Sequence, residues 1–215
     1  MPRLILITIF FLLAAPRLLF SQSYTSDGRP SRNLKFALGT CKIEFEDGSI
    51  AEENITYYAG MQPYLSSQSN QGEVRYFPHQ VRSFSNKYRK YVTVGNFPVH
   101  LSYSTNINRD FAELIESGPL ELLIHQSYDV YTIPGANGAQ QYGGIGRSIY
   151  LLRKAGEFAP FAAYSMTGKS DKQLRESLSR YLSSRPDLIE KLKKKSISYE
   201  DIPACIHAYN TGQPL

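Results

Sequence analysis

Ala163-Tyr164-Ser165-Met166-Thr167-Gly168-Lys169-Ser170 fits the relaxed phosphate-loop pattern: Ala or Gly, four residues, then Gly-Lys-Ser. It follows an expected strand and opens an expected helix, the context that pattern requires. The chemistry would be a cradle of backbone N–H groups around phosphate oxygens. Tyr164 and Met166 argue against it, because such a wrap favours small, flexible residues. No later apolar strand ends in an Asp placed to hold magnesium. The octapeptide therefore reads as a strand–turn–helix junction, with Gly168 in the turn and Ser170 as the helix cap. Neither a nucleotide nor any cofactor is expected.

Other candidate groups fare no better. Gly143-Gly144-Ile145-Gly146 precedes a strand rather than a helix, so no helix N-terminus waits for a pyrophosphate. A loop from Pro134 to Gly146 is expected instead. His79, His100, His125 and His207 are scattered, with no partner at metal-pair spacing, so they are expected to be structural or surface residues. Neither Gly-x-Ser-x-Gly nor Ser-x-x-Lys occurs. Glu44 and Glu46 share a strand face and paired carboxylates can do acid–base work, but beside Lys42 they read as solvated. Lys191 to Lys195 sits at the end of an expected helix, where lysine complements the dipole. The sequence names no catalytic, cofactor-binding or metal-ligating residue, and the expectation leans away from an enzyme.

The elements that would carry such groups are mostly strands. Of 215 residues, 42% are hydrophobic and 20% charged, enough for a core and unlike a disordered chain. The aromatics are 16 Tyr and 11 Phe with no Trp, a balance that suits half-buried pleated surfaces. Ala37, Gly39, Cys41, Ile43 and Phe45 alternate with polar neighbours, Asp47-Gly48 turns the chain, and Ile50 to Tyr58 returns. Gln62 to Gly72 is expected to be a loop. Short strands are expected at Val74–Phe77, Val81–Phe84, Tyr91–Val94 and Val99–Tyr103. One short inserted helix is expected from Asn108, as N-cap, to Ser117-Gly118, with Phe111, Leu114 and Ile115 as its apolar stripe. A long strand follows from Leu120 to Ile133, then a hairpin with arms Ser148–Arg153 and Phe158–Met166. From residue 169 the period becomes helical, with about three helices packed on the sheet. They open at the capping box Ser170 to Gln173, near Pro186, and at Ser198. Strands first and helices last make an α+β fold, with a mainly antiparallel β-domain over residues 33–168 and a helical segment over 169–215.

The N-terminus carries an address. Arg3 and the apolar run Leu4 to Ala15 resemble a secretory signal peptide over residues 1–21, with Ser21 before the cut and a polar leader over 22–32. Arg17 interrupts the run, so it is short for a membrane anchor, and no transmembrane span is expected after cleavage. The protein is thus expected in the periplasm, associated with an outer membrane, or outside the cell. The formal charge is +5, from 24 basic and 19 acidic residues; cleavage would remove Arg3 and Arg17 and leave 5 − 2 = +3, a charge without the clustered Lys and Arg of a phosphate-binding surface, so no nucleic-acid partner is expected. Cys41 and Cys205 are too few for a disulfide framework. An oxidising compartment would permit a bond between them, and two buried thiols are the equal alternative.

Several stretches stand out together: the leader ending Leu19-Phe20-Ser21-Gln22, the strand–Asp47-Gly48-Ser49–strand opening, and Phe77-Pro78-His79-Gln80-Val81-Arg82-Ser83-Phe84. Phe111 to Leu122, Tyr150 to Glu157 and the tail Ala208-Tyr209-Asn210 complete the set. Together they resemble a family of small exported envelope proteins of Bacteroidota without assigned function. At Arg185 the chain departs from the family's Cys before Pro186. The resemblance implies an envelope protein and brings no catalytic residues. The function expected is a non-enzymatic envelope protein binding a protein or glycan through its tyrosine-rich sheet or helical tail. The alternative is an envelope-polymer hydrolase whose carboxylates and His converge only in three dimensions.

Overall fold

A chain this rich in Tyr, Phe and β-branched residues buries them best on pleated surfaces, and most of it is strand. The computed structural model describes residues 33–70, 72–100, 104–134, 140–160, 162–165, 171–194 and 196–215. The strands are β1 (Asn33–Phe45), β2 (Ile50–Gly60), β3 (Tyr64–Ser69), β4 (Gly72–Tyr76), β5 (Val81–Ser85) and β6 (Lys90–Val94). They continue as β7 (Phe97–His100), β8 (Ser104–Ile107), β9 (Asp110–Glu116), β10 (Leu120–Pro134), β11 (Gln140–Lys154) and β12 (Ala162–Ser165). Among the described residues the helices lie near the C-terminus: α1 (Asp171–Tyr181), α2 (Pro186–Lys193) and α3 (Ile202–Thr211). One antiparallel sheet runs in the order β12-β11-β10-β9-β6-β5-β1-β2-β3-β4, and β7-β8 form a separate hairpin. The signal segment, the leader and the Gly168-Lys169-Ser170 junction lie outside the described residues.

Three sequence expectations are corrected. The inserted helix from Asn108 to Ser117 is strand β9, paired with β6 on one side and β10 on the other. Its first half is covered on both faces, Phe111 in one core and Ala112 and Leu114 in another, while Ile115 is exposed. Apolar residues on both faces need not alternate, and with the exposed Ile115 they mimicked a helical stripe. The loop expected at Gln62 to Gly72 contains β3, whose Leu65, Ser66 and Ser67 are buried. Gly143 to Gly146 belong to β11, paired with Tyr128 to Tyr131, rather than to a loop. Gly146 lies directly under the Leu34 side chain of β1, 2.9 Å from where a Cβ would sit. Residues without side chains let the rolled sheet bring β1 onto β11.

Burial divides into layers. Four rings, Tyr57, Phe84, Tyr91 and Phe111, pack with centroids 4.7–5.8 Å apart and centre the core between β1, β2, β5, β6 and β9. The β10–β11 ribbon is covered on both faces where Leu120 to Leu123 pairs with Leu151 to Lys154. Leu120, Leu122 and Leu152 face the helices, meeting Leu178, Leu182, Leu188, Leu192, Ile202 and Ile206. Leu123, Ile149 and Leu151 face the β7–β8 hairpin, meeting Phe97 and Val99. Cys41 and Cys205 are both free and buried, in separate cores. Burial raises both thiols, Cys205 to about 11, so both are inert.

Besides the apolar packing, one amide hydrogen-bonds the helical tail to the backbone of the sheet. Asn210 in α3 accepts from the Leu120 N–H at 3.1 Å and donates to the Leu120 carbonyl at 2.8 Å, lying over Gly118. It thereby pairs with the start of β10 as a neighbouring strand would. Asn210→Ala should lose both bonds and cost about 2 kcal/mol, a fall in Tm of roughly 4–8 °C. Thermal unfolding followed by circular dichroism checks this. Within the tail, Arg185 ties the start of α2 to the end of α3, gripping Asp187 through Nη2 at 2.7 Å while donating to the carbonyls of Ala208 and Gln213. That guanidinium holds the Asp187 carboxyl down to about 2.

Candidate functional site

Strand register brings together three groups that sequence spacing kept apart. His125 on β10 sits opposite Ala112 of β9, and Asp110, two residues earlier on β9, points to the same face. Asp110 Oδ2 lies 2.7 Å from His125 Nε2, and Ser127 Oγ lies 2.9 Å from His125 Nδ1. Asp110 Oδ1 also accepts from the Phe111 N–H at 2.6 Å. The tautomer that satisfies every bond carries its proton on Nε2, donating to Asp110, while the Ser127 hydroxyl donates to Nδ1. Nearby, burial first and the Asp110 charge second push the Tyr57 hydroxyl well above its ordinary range.

The order Asp–His–Ser is that of a serine hydrolase relay, but the two ring nitrogens are exchanged, with Nε2 on the carboxylate and Nδ1 on the hydroxyl, and the surroundings differ too. A nucleophilic serine needs open space for a carbonyl and donors for the oxyanion. Ser127 is 4% exposed, His125 1% and Asp110 1%. The Phe97 ring stands edge-on to the imidazole at 5.1 Å, part of the β7–β8 hairpin that seals this face. The relay satisfies buried polar groups in the core, and no substrate reaches it in this arrangement.

The open site is at one end of the rolled sheet. Tyr58 and Tyr64, partners across β2 and β3, stack at 4.5 Å and 10°. Phe77 continues the row 6.2 Å from Tyr64, and His79 lies parallel to Phe77 at 6.0 Å and 8°. Lys35 and Arg75 sit over the Tyr58 and Tyr64 rings. The row ends at a shallow cleft of about 370 Å³ lined by Gln62, Pro63, Phe77, Pro78, His79 and Arg109. Its floor is a rigid turn: the Phe77 N–H donates to Gln80 Oε1 and the Gln80 N–H to the Phe77 carbonyl, each at 2.8 Å. Pro78 fixes the backbone between them. Arg109 is held over the Phe158 ring at 4.9 Å and lies 3.6 Å from Glu46. The cleft therefore offers an exposed ring, an imidazole, an amide and an oriented guanidinium at one opening.

The residues weighed from the sequence are dispersed. Glu44 is paired with Arg82 at 3.0 Å, and Glu46 with Arg82 and Arg109, so the two carboxylates are tied into surface ion pairs. His207 meets Glu116 at 3.1 Å on α3. Lys194 meets Glu190, and Lys191 reaches the Leu215 carbonyl. His79 reaches the cleft and His125 the relay, while Asp110, Ser127 and Arg109 were not singled out. Among the described residues there is no group of three or more His, Cys, Asp and Glu able to hold a metal. No described helix is long and apolar enough to cross a membrane. Set against known proteins, the chain matches no family model, no curated protein and no solved structure.

Proposed function

We propose that this chain is an exported, non-enzymatic binding protein of the cell envelope, and that its ligand is a glycan held at the cleft between Phe77, His79 and Arg109. The observation that carries the reading is the aromatic row ending in that cleft. A pyranose presents an apolar C–H face and a polar rim. A ring such as Phe77, 39% exposed, takes the first, and Gln62, His79 and Arg109 take the second. The signal-like N-terminus and the resemblance to Bacteroidota envelope proteins support the same address.

Titration with soluble oligosaccharides released from bacterial envelope tests it. Tyrosine emission reports binding, because the chain has no Trp to mask it. Phe77→Ala should weaken binding about tenfold, near 1.4 kcal/mol of lost ring contact. Binding unchanged in Phe77→Ala, or absent for every oligosaccharide fraction, overturns the proposal.

One observation favours the hydrolase alternative, the Asp110–His125–Ser127 relay. It predicts that a fluorophosphonate probe labels Ser127. With Ser127 buried beneath the β7–β8 hairpin, no labelling is expected in the folded protein.

A further inference from the structure

We propose that the protein pairs with a second copy of itself through the outer edge of β4, antiparallel about a two-fold axis at Val74. This is independent of the glycan reading.

The two edges of the main sheet differ. β12 is packed against β7, whereas among the described residues β4 has extensive contacts with β3 alone. All of β4 but Tyr76 is exposed, including Val74 at 37%. Backbone parity follows from its hairpin. Ser69 pairs with Gly72 across a two-residue turn, which makes them a hydrogen-bonded pair. Alternation then turns the N–H and C=O of Gly72, Val74 and Tyr76 toward β3, and those of Glu73 and Arg75 outward.

An added antiparallel strand must meet Glu73 and Arg75 with residues whose groups also point outward. For a second copy of β4 those are again Glu73 and Arg75. Registers placing Glu73 opposite the partner's Glu73, or Arg75 opposite the partner's Arg75, juxtapose like charges and are destabilising. The remaining register sets Glu73 against the partner's Arg75, and Arg75 against the partner's Glu73. Val74 then meets the partner's Val74 on the axis as a close, non-hydrogen-bonded pair. Hydrogen-bond parity and charge select the same register. Glu73 and Arg75 already lie 2.8 Å apart within β4, on one face, so the pair extends into a four-charge cluster without turning either side chain inward. Charges on an edge discourage indiscriminate pairing, and here they leave one partner strand that fits.

Sedimentation of the purified protein over a concentration series, with covalent trapping, tests this. The expected result is a reversible dimer. Glu73→Arg or Arg75→Glu alone should weaken it about tenfold or more, since each places two like-charge pairs across the axis. The double exchange Glu73→Arg with Arg75→Glu should restore it. Val74→Cys should form an intermolecular disulfide under mild oxidation, because non-hydrogen-bonded Cα atoms lie about 4.5 Å apart, within disulfide reach. The native thiols are buried and do not compete. A monomer at every concentration, a dimer indifferent to charge reversal, or cross-linking through Glu73→Cys instead of Val74→Cys overturns the proposal. Circular dichroism of each variant confirms that the exposed edge has been changed without unfolding the sheet.

Discussion

Gly95→Ala should destabilise the protein by roughly 3 kcal/mol or more, enough to lower Tm by about 6–12 °C. Gly95 links β6 to β7, and its N–H donates to the Phe158 carbonyl at 3.3 Å. A Cβ built there would lie 2.1 Å from the backbone oxygen of Asn108 and 2.5 Å from the Phe158 ring. Neither neighbour can swing aside as a methyl group can. Asn108 is in the turn that aims Asp110 into the core, and Phe158 is the surface on which Arg109 rests. Relief therefore requires three chain segments to separate. Gly146→Ala is the control: its nearest neighbours are the terminal carbons of Leu34, at 2.9 and 3.1 Å, which can rotate. It should cost about 1 kcal/mol or less. Chemical denaturation of both variants checks the ordering, and equal losses would show that backbone proximity at Gly95 is not what matters.

The hairpins were readable because their signals are local. Alternation from Ala37 to Phe45, the Asp47-Gly48 turn and the return strand belong to neighbours in sequence, and the register Glu44 to Ile50 follows. The turn even uses its own side chain, with Asp47 accepting from the Ser49 N–H and hydroxyl at 2.8 and 2.6 Å. The mainly antiparallel sheet with helices near the C-terminus was visible for the same reason. What failed depends on distant residues. β9 is strand because β6 and β10 flank it, and nothing between Asn108 and Gly118 announces those partners. β3 is strand because Leu65 completes a core built by Ile43, Tyr57 and Val81. The Gly-rich start of β11 is strand because β10 pairs along its whole length.

The open cleft was not legible as a site. Phe77 to Phe84 carries part of the family resemblance and no site by itself, though its turn forms the floor of the cleft. Arg109, the opposing cation, comes from the segment misread as a helix, so its direction could not be inferred. The relay was hidden in a different way. His125 and Ser127 at i and i+2 lie on one strand face, a spacing compatible with a shared network, but the third member depends on the β9–β10 register. Only the pairing of His125 with Ala112 brings Asp110 within reach.

That relay underlies the second large effect. Asp110→Ala should cost about 3–5 kcal/mol, because two buried donors lose their acceptor at about 1–3 kcal/mol each. The loss is larger than one hydrogen bond because Asp110 satisfies two donors, the Phe111 N–H and His125 Nε2. Its removal leaves the imidazole, 1% exposed and closed over by Phe97, with no acceptor at Nε2. The partner substitution provides the test of cause. His125→Phe removes the group that needed Asp110 and substitutes a ring of comparable shape against Phe97. In the Asp110→Ala background it should therefore recover part of the stability, giving a coupling of about 1–3 kcal/mol in a double-mutant cycle. Ser127→Ala alone should cost only about 1 kcal/mol, since it removes one neutral hydrogen bond at the end of the chain. Strict additivity of Asp110→Ala and His125→Phe in urea denaturation would mean that the pair is two independent core residues. A coupling of the expected size makes the relay a polar strut that locks β9 to β10 beneath the β7–β8 hairpin.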